Sequence, residues 1–137
     1  MPVGIVVVSH SAPLAENVVS LVAALANVAP DDVPLVAAGG LDATTIGTDA
    51  TRIAAAIERA DRGDGVVVVA DLGSAVLSAQ TAIDELLAPD LAARVRISGG
   101  PLVEGTFVAA VQASVGDTLD AVLSAAEHAG EMNKLEG

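Results

Sequence analysis

The sequence predicts an α/β fold built on an open, mainly parallel sheet of four to five strands with helices on both faces. Val3–Val8 (VGIVVV) and Val66–Ala70 (VVVVA) are unbroken, mostly β-branched runs. Strands buried on both faces have that pattern, whereas half-exposed strands alternate apolar and polar residues. Helical patterns separate the runs, at Pro13–Val28, Thr48–Ala60 and Ser74–Leu87, and weaker strands read at Val33–Ala37 and Val95–Ser98.

Alternating strands and helices call for right-handed crossovers, which put helices on both sides of parallel strands. Pro89 stops the third helical pattern, and beyond the fourth strand the chain reads helical again at Glu104–Ser114 and Asp117–His128. A chain of 137 residues suits one domain with a core that needs neither disulfides nor metals. Residues 1–132 read as that domain and 133–137 as a short polar end. Hydrophobic residues make up 53% of the chain, yet there is one Phe and no Trp, Tyr or Cys. The interior must therefore be Val, Leu, Ile and Ala.

The same composition excludes several kinds of function. Without cysteine there is no disulfide framework, thiolate zinc site or thiol chemistry, and a reducing cytoplasm is the compatible setting. Val3–Val8 lacks a basic flank and is too short to cross a bilayer. A net charge of −12, from 18 acidic and 6 basic residues, opposes binding to nucleic acid or anionic membrane. A basic protein surface is the better partner.

Ligands of open parallel sheets bind beyond the carboxyl ends of the strands, where helix N-termini point free N–H groups outward. The strand ends here read Ser9-His10-Ser11, Gly39-Gly40, Asp71-Leu72-Gly73-Ser74 and Gly99-Gly100. His10 follows a buried strand directly and precedes a helix with Ser11 as cap and Pro13 as an early residue. Taken alone, it could simply end the strand. Asp71, at the end of an adjacent parallel strand, could accept a hydrogen bond from one ring nitrogen and leave the other as a nucleophile. It could equally cap the following helix, as could Ser74, and the two roles could coexist.

Ser9 and Ser11 could offer hydroxyls to a phosphoryl oxygen, and the N–H groups near Gly73 and Ser74 could form an anion-accepting nest, although each residue alone also suits plain turn or cap duty. Neither serine beside His10 lies in a G-x-S-x-G elbow, which argues against a Ser-His-Asp hydrolase. No nucleotide-binding glycine motif is present, so the two Gly-Gly pairs read as tight turns with room for a partner. His128 suits a structural role at a helix C-terminus. No metal-ligating cluster and no bound cofactor is expected.

The segments GIVVVSHSAPLAENVVSL, AAGGLDATTIGTDATRIAAAI, GVVVVADLGSAVLSAQTAIDELL and GGPLVEGTFVAAVQASVG cover nearly the whole chain. They resemble the DhaM family, the phosphocarrier subunits of bacterial PEP-dependent dihydroxyacetone kinases, which are in turn similar to mannose-type IIA domains of the phosphotransferase system (PTS). The ADLGSA and GPLVEG segments favour DhaM over the sugar-transport domains. The resemblance implies a mannose-type IIA-like fold in which His10 is phosphorylated by HPr and discharged onto ADP held by DhaL, while DhaK holds dihydroxyacetone. Asp71 would orient His10. It also implies a homodimer. Some members of the family carry additional HPr-like and enzyme I-like domains; this sequence departs from them, and a separate phosphate donor is expected. A sugar-transport IIA component is the alternative among phosphocarriers. A non-catalytic flavodoxin-like binding module is the alternative outside them.

Overall fold

The computed structural model describes residues 2–29 and 31–136. Four strands, β1 (Gly4–Ser9), β2 (Leu35–Gly39), β3 (Val66–Ala70) and β4 (Val95–Ser98), form one sheet in the order β2-β1-β3-β4. Every pairing is parallel. Around it run α1 (Ala12–Ala26), α2 (Ala50–Ala60), α3 (Gly73–Thr81), α4 (Pro89–Ala92), α5 (Leu102–Ser114) and α6 (Leu119–His128). Among the described residues no helix is long and apolar enough to cross a membrane.

The two faces of the sheet are sorted by strand periodicity. Ile5 and Val7 of β1 and Val67 and Val69 of β3 face one apolar layer with Val18 and Val22 of α1, Ala109 and Ala113 of α5 and Val122 and Ala126 of α6. Val6, Val8, Val66 and Val68 face the other, with Ile53 and Ile57 of α2 and Ala75 and Ala79 of α3. Burying each of these valines and isoleucines contributes about 1.5–3 kcal/mol. Alanines at the helix contacts let the layers approach closely.

Strand order explains the placement of the helices. From β1 the chain moves outward to β2 with α1 on one face, then crosses back past β1 to β3 with α2 on the other. Crossovers of one hand require that switch of face when the direction reverses. The loops leaving β1 and β3, which are neighbours in the sheet, therefore diverge, and a crevice opens between them.

Local chemistry sets boundaries that periodicity alone misplaces. The strand read at Val33–Ala37 lies instead at Leu35–Gly39, because Pro34 has no N–H to give and contributes only its carbonyl, which accepts from the Ile5 N–H at 2.8 Å. Helix α1 stops at Ala26 because Asn27 turns left-handed at φ 53°. Asp49 and Thr118 cap α2 and α6 through their side chains, at 2.8 Å to the Thr51 N–H and 3.2 Å to the Ala121 N–H, so both helices begin two residues later than expected. After Thr81, α3 widens into a π-turn, Ala82–Leu86, which ends at the extended Leu87; Ala88, extended as the residue before Pro89, then opens α4.

At Gly39, Gly40 and Gly100 the space is filled by the chain's own backbone, whereas a side chain at Gly99 would meet open space, so room for a partner is left at that position alone. A Cβ on Gly39 would lie 2.4 Å from the Ser11 carbonyl oxygen, and one on Gly100 would lie 2.1 Å from that of Ala126. Gly39 thus allows the end of β2 to touch the loop that carries His10. Gly39→Ala should cost about 1–3 kcal/mol through overpacking and should shift the backbone resonances of residues 9–12. Urea unfolding and amide spectra check this, and wild-type stability with unmoved resonances would mean that the contact yields freely.

Candidate functional site

The β1–β3 register pairs Val8 with Ala70, so the next residues of both strands, Ser9-His10 and Asp71, leave the sheet side by side. The Asp71 N–H still donates to the Val8 carbonyl at 3.1 Å, which extends the ladder one step beyond the strands and fixes where the carboxylate starts.

Asp71 then collects donors. Its Oδ2 accepts from the Ser9 hydroxyl at 2.8 Å and from the His10 backbone N–H at 3.0 Å. Its Oδ1 accepts from the Leu72 N–H at 2.6 Å and lies 2.8 Å from His10 Nδ1. Burial pushes the carboxyl pKa upward, but hydrogen bonds from the Leu72 N–H, the Ser9 hydroxyl, the His10 N–H and the His10 ring outweigh it. The net shift is below the ordinary carboxylate value, so Asp71 is ionised at neutral pH and can only accept. Nδ1 must then carry a proton, and the lone pair of a neutral His10 sits on Nε2.

Nε2 faces the mouth of the crevice against Ser74 Oγ. Ser74 belongs to the first turn of α3, where a helix leaves N–H groups without intrahelical acceptors. The cap position is Leu72, and it makes no side-chain cap bond. The expectation that Asp71 or Ser74 caps α3 is therefore not met, because Asp71 lies one residue too early and Ser74 reaches across to the histidine. The Gly73 and Ser74 N–H groups belong to that same first turn, at the positive end of the helix dipole.

Of the other two serines, Ser11 caps α1 as expected, whereas Ser9 turns inward. Ser9 is 1% exposed, gives its one proton to Asp71 and accepts the Ser11 N–H at 3.1 Å. Its hydroxyl proton is thus committed to Asp71, and its side chain reaches the His10 ring through that carboxylate. Ser11 caps α1, its Oγ accepting the Leu14 N–H at 3.3 Å, and its hydroxyl proton is left free to point outward. His128 sits at the end of α6, where its Nδ1 donates to the Ser124 carbonyl at 2.8 Å, far in sequence from this cluster.

Two groups around His10 carry no signal in residue type, because they are main-chain donors. The Leu72 N–H holds Asp71, and the Gly47 N–H donates to the His10 carbonyl at 2.9 Å. Among the described residues no three His, Cys, Asp or Glu side chains form a group that could hold a metal.

The profile of the family described as PTS system fructose IIA component matches residues 4–123. Over 88% of its length the chain is 36% identical to PEP-dependent dihydroxyacetone kinase 2, phosphoryl donor subunit DhaM, of Listeria innocua, and it covers 94% of that protein. The chain is a DhaM-like member of this IIA family. It is also 44% identical to the DhaM subunit of Escherichia coli K12 across 96% of its own length, but spans only 28% of that longer protein. The crystal structure of the protein of unknown function EF1359 has the same fold, with a TM-score of 0.78 at 30% identity over 93% of this chain and 95% of that one. In this DhaM-like chain, the histidine and aspartate converge at the point where the strand order reverses.

Because the pKa of Asp71 is lower in the folded protein than in the unfolded one, its carboxylate stabilises the fold above the ordinary carboxylate pKa of 3.8. That contribution is lost as pH falls through the folded value. Asp71→Asn should lower stability by about 1–2 kcal/mol at pH 7. The gap should narrow in acid, where the wild-type carboxylate is itself protonated. Urea unfolding at pH 7 and pH 3 measures both, and equal stability at pH 7 would contradict the carboxylate's role.

Proposed function

We propose that this chain is a phosphohistidine carrier, the phosphoryl donor subunit of a PEP-dependent dihydroxyacetone kinase. His10 takes a phosphoryl group from phospho-HPr and passes it to ADP held by DhaL, while DhaK holds dihydroxyacetone. Residues 1–132 form the carrier unit and residues 133–137 a polar end, in a cytoplasmic protein. The observation that carries this reading is the ring of His10, held at Nδ1 by an ionised carboxylate while Nε2 faces the open first turn of α3.

In the charging step the Nε2 lone pair attacks phosphorus as the bond from phosphorus to the donor breaks. The new P–N bond makes the ring cationic while Nδ1 keeps its proton, and Asp71 offsets that charge at 2.8 Å. Ser74 Oγ gives up its contact with Nε2 as phosphorus arrives and donates instead to a phosphoryl oxygen. The N–H groups of Gly73 and Ser74, with the Ser11 hydroxyl at the neighbouring helix start, complete the anion site. In the discharging step an oxygen of ADP attacks in line, the P–N bond breaks and its electrons return to Nε2. Such a transfer needs positioning and charge stabilisation more than covalent help from the protein.

Leu14 and Leu72, 44% and 69% exposed, flank the crevice and offer apolar footing to the donor and the acceptor in turn. Leu21 and Leu25 on α1, also exposed, offer apolar surface for the homodimer that the family likeness suggests.

A sugar-transport IIA component is the second reading, favoured by the fructose description of the matching family. Reconstitution separates the two: enzyme I, HPr, DhaK, DhaL and this chain with PEP and dihydroxyacetone, each omitted in turn. Product formation should require this chain, and His10→Ala should remain folded yet accept no acid-labile phosphate and support no turnover. Transfer to a sugar-specific IIB protein without transfer to DhaL would favour the second reading. A folded His10→Ala protein that still takes the label would remove His10 from the mechanism.

A further inference from the structure

We infer that Thr48 is a positioning residue for phosphoryl transfer, acting through a strap formed by the β2–α2 connection; the inference rests on the reading of His10 as the phosphoacceptor. Residues 40–49 leave β2 and lie against the loop that carries the histidine. The Gly40 N–H donates to the Ser9 carbonyl at 3.1 Å and the Gly47 N–H to the His10 carbonyl at 2.9 Å. Between these anchors the segment is shaped from within. The Leu41 N–H donates to the Thr45 carbonyl at 3.0 Å, and the Asp42 carboxylate accepts the N–H groups of Thr44 and Thr45 at 2.9 and 2.8 Å. Gly47 holds φ +145°, and a Cβ there would meet the Leu41 side chain at 2.9 Å.

Immediately after this anchor, Thr48 Oγ1 lies 2.6 Å from Ser78 Oγ in a half-buried contact. Ser78 is on α3, one turn beyond Ser74, whose hydroxyl meets His10 Nε2. The histidine is thus held from two sides, its main chain by the strap and its ring by Asp71 and α3. The Thr48–Ser78 bond sets the spacing between the two holds.

Thr48 has no competing duty as a cap. Asp49 caps α2, and the Thr48 hydroxyl turns across to another helix. Transfer between a ring nitrogen and a docked donor depends steeply on alignment, and displacements near 1 Å cost up to about a hundredfold.

Thr48→Val keeps the shape and removes the hydroxyl, Thr48→Ser keeps the hydroxyl, and Ser78→Ala removes the other end of the bond. Single-turnover phosphorylation by phospho-HPr, run across donor concentrations, should show the maximal rate falling roughly tenfold in Thr48→Val and Ser78→Ala. The donor concentration for half-saturation should stay within about twofold, and Thr48→Ser should stay within about threefold of the wild-type rate. The double variant should be no slower than the slower single one, as expected for two ends of one bond. The ring nitrogen shifts of His10 should move in Thr48→Val and not in Thr48→Ser. Wild-type rates with unmoved ring shifts would overturn the inference, as would equal slowing in Thr48→Ser. If Thr48→Val does not fold, Ser78→Ala breaks the same bond from its other end and decides the question by the same rates and shifts. Phosphate retained by a folded His10→Ala protein would instead overturn the phosphoacceptor reading, while the ring shifts would still report whether the strap holds His10.

Discussion

The Asp71 carboxylate is where the strands, the loop bearing His10 and the third helix meet. It accepts from Ser9 at the end of β1, from the backbone and ring of His10, and from Leu72 at the start of α3. An anion placed there without these donors would be strongly disfavoured by its partial burial, and the donors without the anion would lose their common acceptor. The arrangement does two things together. It ties β1 to the β3–α3 turn, and it assigns the proton of the imidazole to Nδ1. Geometry and reactivity thus rest on the same interaction, which is why a change at Asp71 should be visible in stability as well as in transfer.

The placement of that carboxylate follows from topology. Only the order β2-β1-β3-β4 makes the first and third strands neighbours while sending their outgoing loops in opposite directions. A histidine ending β1 and an aspartate following β3 then face one crevice, with the N-terminus of α3 alongside. The edge strand β2 takes part too. It ends in Gly39, whose missing side chain admits the Ser11 backbone, and it leads into the segment that reaches the His10 carbonyl. The loop bearing His10 is consequently held by its neighbours on both sides.

Much of this was legible in the residues themselves. Val3–Val8 and Val66–Ala70 are runs of the kind that strands covered on both faces carry, and His10 and Asp71 at their ends bear the side chains that meet. Less legible were the features that depend on main-chain groups or on one side chain overriding a periodic pattern. Pro34 moves the start of β2, Asn27 ends α1 in a left-handed turn, and Asp49 and Thr118 delay α2 and α6. Ser9 looked like a donor to an incoming group because it adjoins His10, but strand alternation turns it inward, where Asp71 takes its proton. Ser74 looked like a cap because it follows a strand and opens a helix. The reach of its hydroxyl to Nε2 depends on how α3 sits over the crevice, which no local pattern encodes.

The central claim is that Asp71 holds the proton on Nδ1 and leaves Nε2 to carry the phosphoryl group. Nitrogen-15 NMR of the His10 ring, recorded before and after phosphorylation by phospho-HPr, tests it most directly. The account predicts a protonated Nδ1 in the free protein and a phosphorus-bonded Nε2 in the charged one, with Nδ1 still protonated. Phosphate on Nδ1, or a free protein whose neutral ring carries its proton on Nε2, would contradict it.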